Sequence, residues 1–125
     1  DLHRIEDEPF KVGSMDWTPI DVLHYRLPVK AFRIGDFTYM TDANHVPEQS
    51  MKKLRGTKIL VINALRHEKH ISHFNLEEAL KLIQDIKPER AFLTHISHQL
   101  GRHSDVDAML PDHVKCAYDG LTIEV

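Results

Sequence analysis

The chain has 125 residues, 42% of them hydrophobic and 28% charged, the size and balance of one folded domain rather than of a disordered or membrane-spanning segment. Sixteen Lys and Arg against nineteen Asp and Glu give a net charge of −3, which argues against a nucleic-acid partner. Ten histidines stand beside a single cysteine, Cys116, which excludes a disulfide framework and a thiolate zinc site and sets the expectation of a reducing, cytoplasmic compartment.

Residues 1–20 are mixed, with Phe10–Val12 and Met15–Trp17 reading as short strands around Gly13. Ile20–Leu23 is a further short strand that delivers His24 at its end. Val29–Ile34 and Phe37–Thr41 are strand-like and are joined by Gly35-Asp36, a hairpin signal. Pro47 and Glu48 open a short helix with Met51 and Leu54 on its apolar side and Gly56 as its stop. Lys58–Ile62 is almost wholly apolar, as a buried parallel strand should be. Asn75 and Glu78 form a capping box ahead of the stripe Leu76, Ala79, Leu80 and Ile83, and Pro88 ends that helix. Arg90–Thr94 is the next strand and runs into His95, and a third helix is expected over Asp105–Leu110. Val114–Tyr118 and Leu121–Val125 are expected to close the chain as a hairpin through Asp119-Gly120.

Alternation of strands and helices from residue 37 to 118 predicts an α/β chain with a mixed β-sheet and flanking helices. Three short helices are few for two sheet faces, so one face is expected to lack a full cover. No apolar run approaches the ~18 residues of a membrane-spanning helix, no signal-peptide pattern is read, and no membrane partner is expected.

His24, Asp42, the group His67, His70 and His73, and His95 all stand where strands end. Ligands of α/β sheets bind beyond the carboxyl ends of strands. Imidazole nitrogen and carboxylate oxygen without thiolate suit zinc, manganese or iron at a hydrolytic centre. Plainer readings stand beside this one. A lone strand-end histidine is an ordinary surface residue, Asp42 in Thr-Asp-Ala-Asn is a turn former, and His67 and His70 flank a solvated Glu-Lys pair. Asn44, His45 and His98 read as solvated loop residues, with a supporting role at the site as the alternative.

The segments Ile34–Asp42 and Leu60–Leu65 resemble the second half of metallo-β-lactamase-fold hydrolases. The likeness is to the phosphodiesterase branch, with the phosphonate-pathway cyclic phosphodiesterases and the tRNA 3′-processing nucleases. The resemblance implies Asp42 as a carboxylate bridging two metal ions. It implies His24, at the end of Thr18–Leu23, and His95, at the end of Ala91–Thr94, as further ligands. His73, in the loop ahead of the Asn75 helix, takes the place of the branch's assisting histidine and would give a proton to the leaving alkoxide. The implied cofactors are two divalent ions, zinc or manganese, and the implied substrate is a small-molecule phosphodiester. An RNA substrate and a thiol-ester substrate are the alternatives within the class.

The family's His-x-His-x-Asp-His run does not occur here; in the family it lies upstream. The chain therefore reads as the C-terminal half of an αββα sandwich, an expectation in line with its start at Asp1. The missing N-terminal half is then the first expected partner, and the isolated chain should bind metal weakly and hydrolyse little. Apolar residues on the sheet face that would meet that half imply a homo-oligomer for the chain alone. The competing class is a non-enzymatic half-domain that binds a partner or dimerises.

Overall fold

A computed structural model describes residues 1–125. Seven strands form one sheet whose spatial order is the chain order, β1 (Phe10–Val12), β2 (Met15–His24), β3 (Leu27–Ile34), β4 (Phe37–Met40), β5 (Ile59–Asn63), β6 (Arg90–Thr94) and β7 (Val114–Cys116). β1 to β4 pair antiparallel through tight turns, and β4 to β7 pair parallel. The turn at Gly35-Asp36 between β3 and β4 is where the sequence puts it, and Gly35 supplies the left-handed φ of 56° it needs.

Each parallel step crosses over through helix: α1 (Glu48–Leu54), α2 (Leu76–Ile86), and α3 (His103–Met109), the last preceded by a 3-10 turn at His98–Leu100. When strand order never reverses, right-handed crossovers deliver every helix to the same face of the sheet. One twenty-residue core records this, joining Ile20, Val22, Leu60, Ile62 and Leu93 of the strands to Leu54, Ala79, Ile83 and Val106 of the helices. α2 starts on the expected capping box, with Asn75 Oδ1 accepting from Glu78 N at 2.8 Å and Glu78 Oε1 accepting from Asn75 N at 3.1 Å. A cap of this kind stabilises a helix by about 1 kcal/mol.

Three expectations are corrected. The stretches Met15–Trp17 and Ile20–Leu23 are one ten-residue strand through Pro19. β1 begins at Phe10, opposite Trp17, so from Thr18 onward β2 has an open edge, where a proline without an N–H does not interrupt a ladder. The third helix begins two residues early, at His103. Residues 121–125 form no strand, and β7 stops at Cys116. Ala117 N donates to Leu93 O at 2.8 Å and Arg90 donates to Glu124 O at 2.9 Å, which carries the terminal segment across the sheet.

That segment covers part of the second face. Leu121 and Ile123 pack on Ile59, Val61 and Phe92, the alternate residues of β5 and β6. Farther along the same face Tyr39 is exposed and Phe10, Trp17 and Phe32 form a half-buried aromatic group with centroids 5.8–6.3 Å apart. The helices thus cover one face fully and the terminal segment covers the other in part, as the helix count suggested. No helix is long and apolar enough to cross a membrane.

Cys116 is buried on the helix side, with its backbone N–H bonded to Asp107 Oδ1 at 2.7 Å. Burial, with the Asp107 carboxylate beside it, pushes the thiol up to about 12 from an ordinary value of 9.0. Between those two values the unfolded chain gives up a proton that the folded chain retains. This contribution is therefore intact below pH 9.0 and lost as pH rises towards about 12. Urea denaturation at a series of pH values from 8 to 11 should show stability falling in wild type and falling less in Cys116→Ala.

Candidate metal centre

The site lies beyond the carboxyl ends of β2, β4 and β6, closed by the loop between β5 and α2. His24 is the last residue of β2. Asp42 follows β4 and His95 follows β6. Both have left-handed backbones, with φ of 55° and 56°. For residues other than glycine this conformation costs on the order of 1 kcal/mol each and is held only where the surroundings impose it. The surroundings here are explicit. Buried Asn63 uses its whole amide on the residue after Asp42, accepting from Ala43 N at 3.0 Å and donating to Ala43 O at 2.8 Å. Asn44 N donates to Leu23 O at 2.8 Å, which ties the Asp42 loop to the end of β2. Thr94 O accepts from Ala64 N, and Leu65 O accepts from Ser97 N, each at 3.0 Å, on either side of His95.

His73 comes from the loop. Phe74 N donates to Ala43 O at 2.8 Å and Leu65 N donates to Phe74 O at 3.0 Å, so the loop is stitched to two strand ends. His73 Nε2 stands 3.1 Å from Asp42 Oδ1, and His95 Nε2 stands 3.4 Å from the same oxygen. The His73 and His95 rings stack with centroids 4.7 Å apart, while the His24 ring meets His73 edge-on at 4.8 Å. All four residues singled out in the sequence, His24, Asp42, His73 and His95, therefore meet in one cluster. A single ion would be spanned most compactly by His24, Asp42 and His73, whose ligating atoms lie within 4.8 Å of one another. The resemblance implies His24, Asp42 and His95 as the ligands and His73 as the proton donor.

Burial lowers the His73 pKa below the ordinary imidazole value. The hydrogen bond to Asp42 opposes this, and nearby His95 and His24 add to it. The balance favours neutral imidazole, the form that binds metal. Ser72 Oγ lies 3.0 Å from His73 Nδ1 and 3.3 Å from His70 Nδ1, so it joins the two rings behind the site. His70, weighed in the sequence as one of the strand-end histidines, thus stands behind His73. Sequence reasoning missed Ser72 and Asn63 as supporting residues; the only signal for Ser72 was the run His70-Ile71-Ser72-His73, and Asn63 gave none beyond being polar at the end of an apolar strand. His67 is not in the cluster, and its Nε2 bonds the Leu100 carbonyl at 2.9 Å. His45 pairs with Leu23 in an isolated bridge, and His98 opens the 3-10 turn.

Imidazole nitrogens and a carboxylate converging on one point, with no thiolate, fit a divalent ion of the zinc or manganese kind. A mixed α/β sheet with such donors at its carboxyl edge defines the class of strand-end metal sites. The chain belongs to the beta-lactamase superfamily, whose domain model matches residues 1–96. It is 33% identical to a diphosphatase of the PhnP family, with a TM-score of 0.97 over 100% of this chain and 49% of that one. It superposes on a metallo-beta-lactamase fold protein from Bacillus subtilis at 19% identity and a TM-score of 0.74, covering 96% of this chain and 54% of that one. On the short form of human tRNase Z the values are 17% and 0.68, covering 92% and 45%. The last two likenesses show the fold. A protein from Porphyromonas gingivalis named octanoyltransferase is 34% identical over 116 residues, 92% of this chain and 24% of that protein. The chain thus spans about half the diphosphatase and a quarter of the octanoyltransferase, whose name assigns nothing to the matching quarter.

Proposed function

We propose that this chain is the C-terminal half of a metal-dependent phosphodiesterase domain that acts on a small-molecule phosphodiester. The observation that carries the reading is Asp42, held left-handed at the end of β4 with its Oδ1 within 3.4 Å of two imidazole nitrogens. The likeness to a PhnP-family diphosphatase over the whole chain supports it, and the net charge of −3 favours a small ester over RNA.

Two divalent ions, zinc or manganese, held there would supply Lewis-acid polarisation and activation of water. His24 and His95 would bind such ions through neutral imidazole, and the Asp42 carboxylate would offset their cationic charge. His73, backed by Ser72 on its Nδ1 and 3.1 Å from Asp42 through its Nε2, would as a neutral imidazole take up the proton released by the attacking water and pass it to the leaving alkoxide, a task that suits imidazole near neutral pH. The upstream half contributes the His-x-His-x-Asp-His ligands in this reading, and it packs on the partly covered aromatic face of the sheet. We place the protein in the cytoplasm on the strength of its lone buried thiol.

The test is hydrolysis of bis-p-nitrophenyl phosphate by the full-length protein across a panel of divalent metals. Activity restored by zinc or manganese after chelation is the expected result; no activity with any metal contradicts the reading. The isolated chain should be inactive and should take up zinc weakly in calorimetric titration, and two tightly bound ions per chain would overturn that. Alone, it should self-associate through Tyr39 and its aromatic neighbours, so sedimentation should show species larger than the monomer.

A further inference from the structure

Beside the cluster, a cleft of about 430 Å³ is lined by His24, Tyr25, Arg26, Leu27, Ile71 and Ser72. It adjoins the site, because His24 lines both and Ser72 bonds His73. Its walls come from two separate places, the β2–β3 turn and the loop ahead of α2. They bring together three large apolar side chains that are exposed to solvent, Tyr25 at 46%, Leu27 at 61% and Ile71 at 64%. The Arg26 guanidinium lies 5.1 Å over the Tyr25 ring, so the apolar wall carries a cation.

The walls are also fixed in place. Asn44 Oδ1 accepts from Tyr25 N at 2.8 Å, and Asn44 Nδ2 donates to Ile71 O at 3.0 Å. One amide, two residues from Asp42, thus clamps both sides of the cleft to the loop that carries the central carboxylate. Tyr25 is itself held left-handed, at φ 58°. A bulky ring in that conformation runs against local preference, and the Asn44 bond is the contact that anchors it.

On the reading of the site as a phosphodiesterase, we infer that this cleft receives the non-leaving arm of the substrate and that the arm is a planar aromatic ring. A ring stacks on Tyr25 and packs on Leu27 and Ile71, while Arg26 faces the anionic ester that carries it. A short alkyl arm would leave the three side chains in water. Tyr25, Arg26 and Ile71 are specificity residues in this scheme, and Asn44 is a positioning residue.

Two esters with the same leaving group isolate the arm, bis-p-nitrophenyl phosphate and methyl p-nitrophenyl phosphate. In the full-length metal-loaded protein, kcat/KM should favour the aryl arm. Tyr25→Asn, which keeps a residue tolerant of left-handed backbone, and Ile71→Ala should each lower that preference about tenfold, mainly through KM. Asn44→Ala should lower it as well. Equal effects on both esters, or none, overturn the cleft assignment. If wild type turns over neither ester, the phosphodiesterase reading fails, and calorimetric binding of bis-p-nitrophenyl phosphate decides the cleft separately. Weaker binding by Tyr25→Asn then supports the cleft, and equal affinity overturns it.

Discussion

Asp42→Asn in the full-length protein should lose more than about 100-fold in kcat on a phosphodiester while its melting temperature, compared with wild type after chelation of both, hardly moves. Loss of a residue that merely orients a ligand already costs ~10–100-fold in metal affinity or activity, and Asp42 is placed at the point where His73 and His95 converge. Asparagine keeps the shape and tolerates the left-handed backbone at φ 55°, so the exchange removes charge and leaves the turn intact. Metal content measured after dialysis should fall with activity. His73→Ala separates the two roles open to that imidazole: retained metal with lost turnover marks a proton donor, and lost metal marks a ligand.

The second large effect is on stability. Leu60 is fully buried in β5 on the side facing the helices, in the twenty-residue core. Leu60→Ala should cost about 2–5 kcal/mol through lost burial and the cavity left behind, a large share of the ~5–15 kcal/mol available to a domain. Met109, 64% exposed on α3, is the control, and Met109→Ala should stay within about 0.5 kcal/mol. Urea midpoints of the two variants and wild type read this directly; near-equal midpoints for Leu60→Ala and wild type would show that β5 is not the centre of the core.

The elements legible in the sequence are those whose signals are local. Gly35-Asp36 marks a turn by its own backbone freedom, Asn75 and Glu78 cap α2 by contacts three residues apart, and the unbroken run at β5 reflects burial on both faces. The misreadings are places where distant partners decide. Pro19 looks like a strand break until the neighbouring strand is seen not to reach it. Leu121 and Ile123 look like strand residues because they alternate, yet they bury that alternation against Ile59, Val61 and Phe92 without pairing into the sheet.

The same distinction holds at the site. His24, Asp42 and His95 were visible because each ends an apolar strand, and parallel β4 and β6 together with β2 bring their ends to one edge. His73 was visible only as one of a group of three loop histidines until the resemblance singled it out, since nothing periodic marks its loop. Asn63 was out of reach and Asn44 was readable only as a loop residue with a supporting role as the alternative, because their importance lies in bonds to residues 43, 25 and 71, which only the folded chain brings near. The left-handed backbones at Asp42 and His95 are likewise products of that stitching.

Anomalous diffraction at the zinc edge, from crystals of the full-length protein grown with zinc, tests the central claim most directly. Two peaks with the Asp42 carboxylate between them and with His24 and His95 among the ligands are the predicted result. Zinc bound elsewhere, or no peak within reach of Asp42, would contradict it.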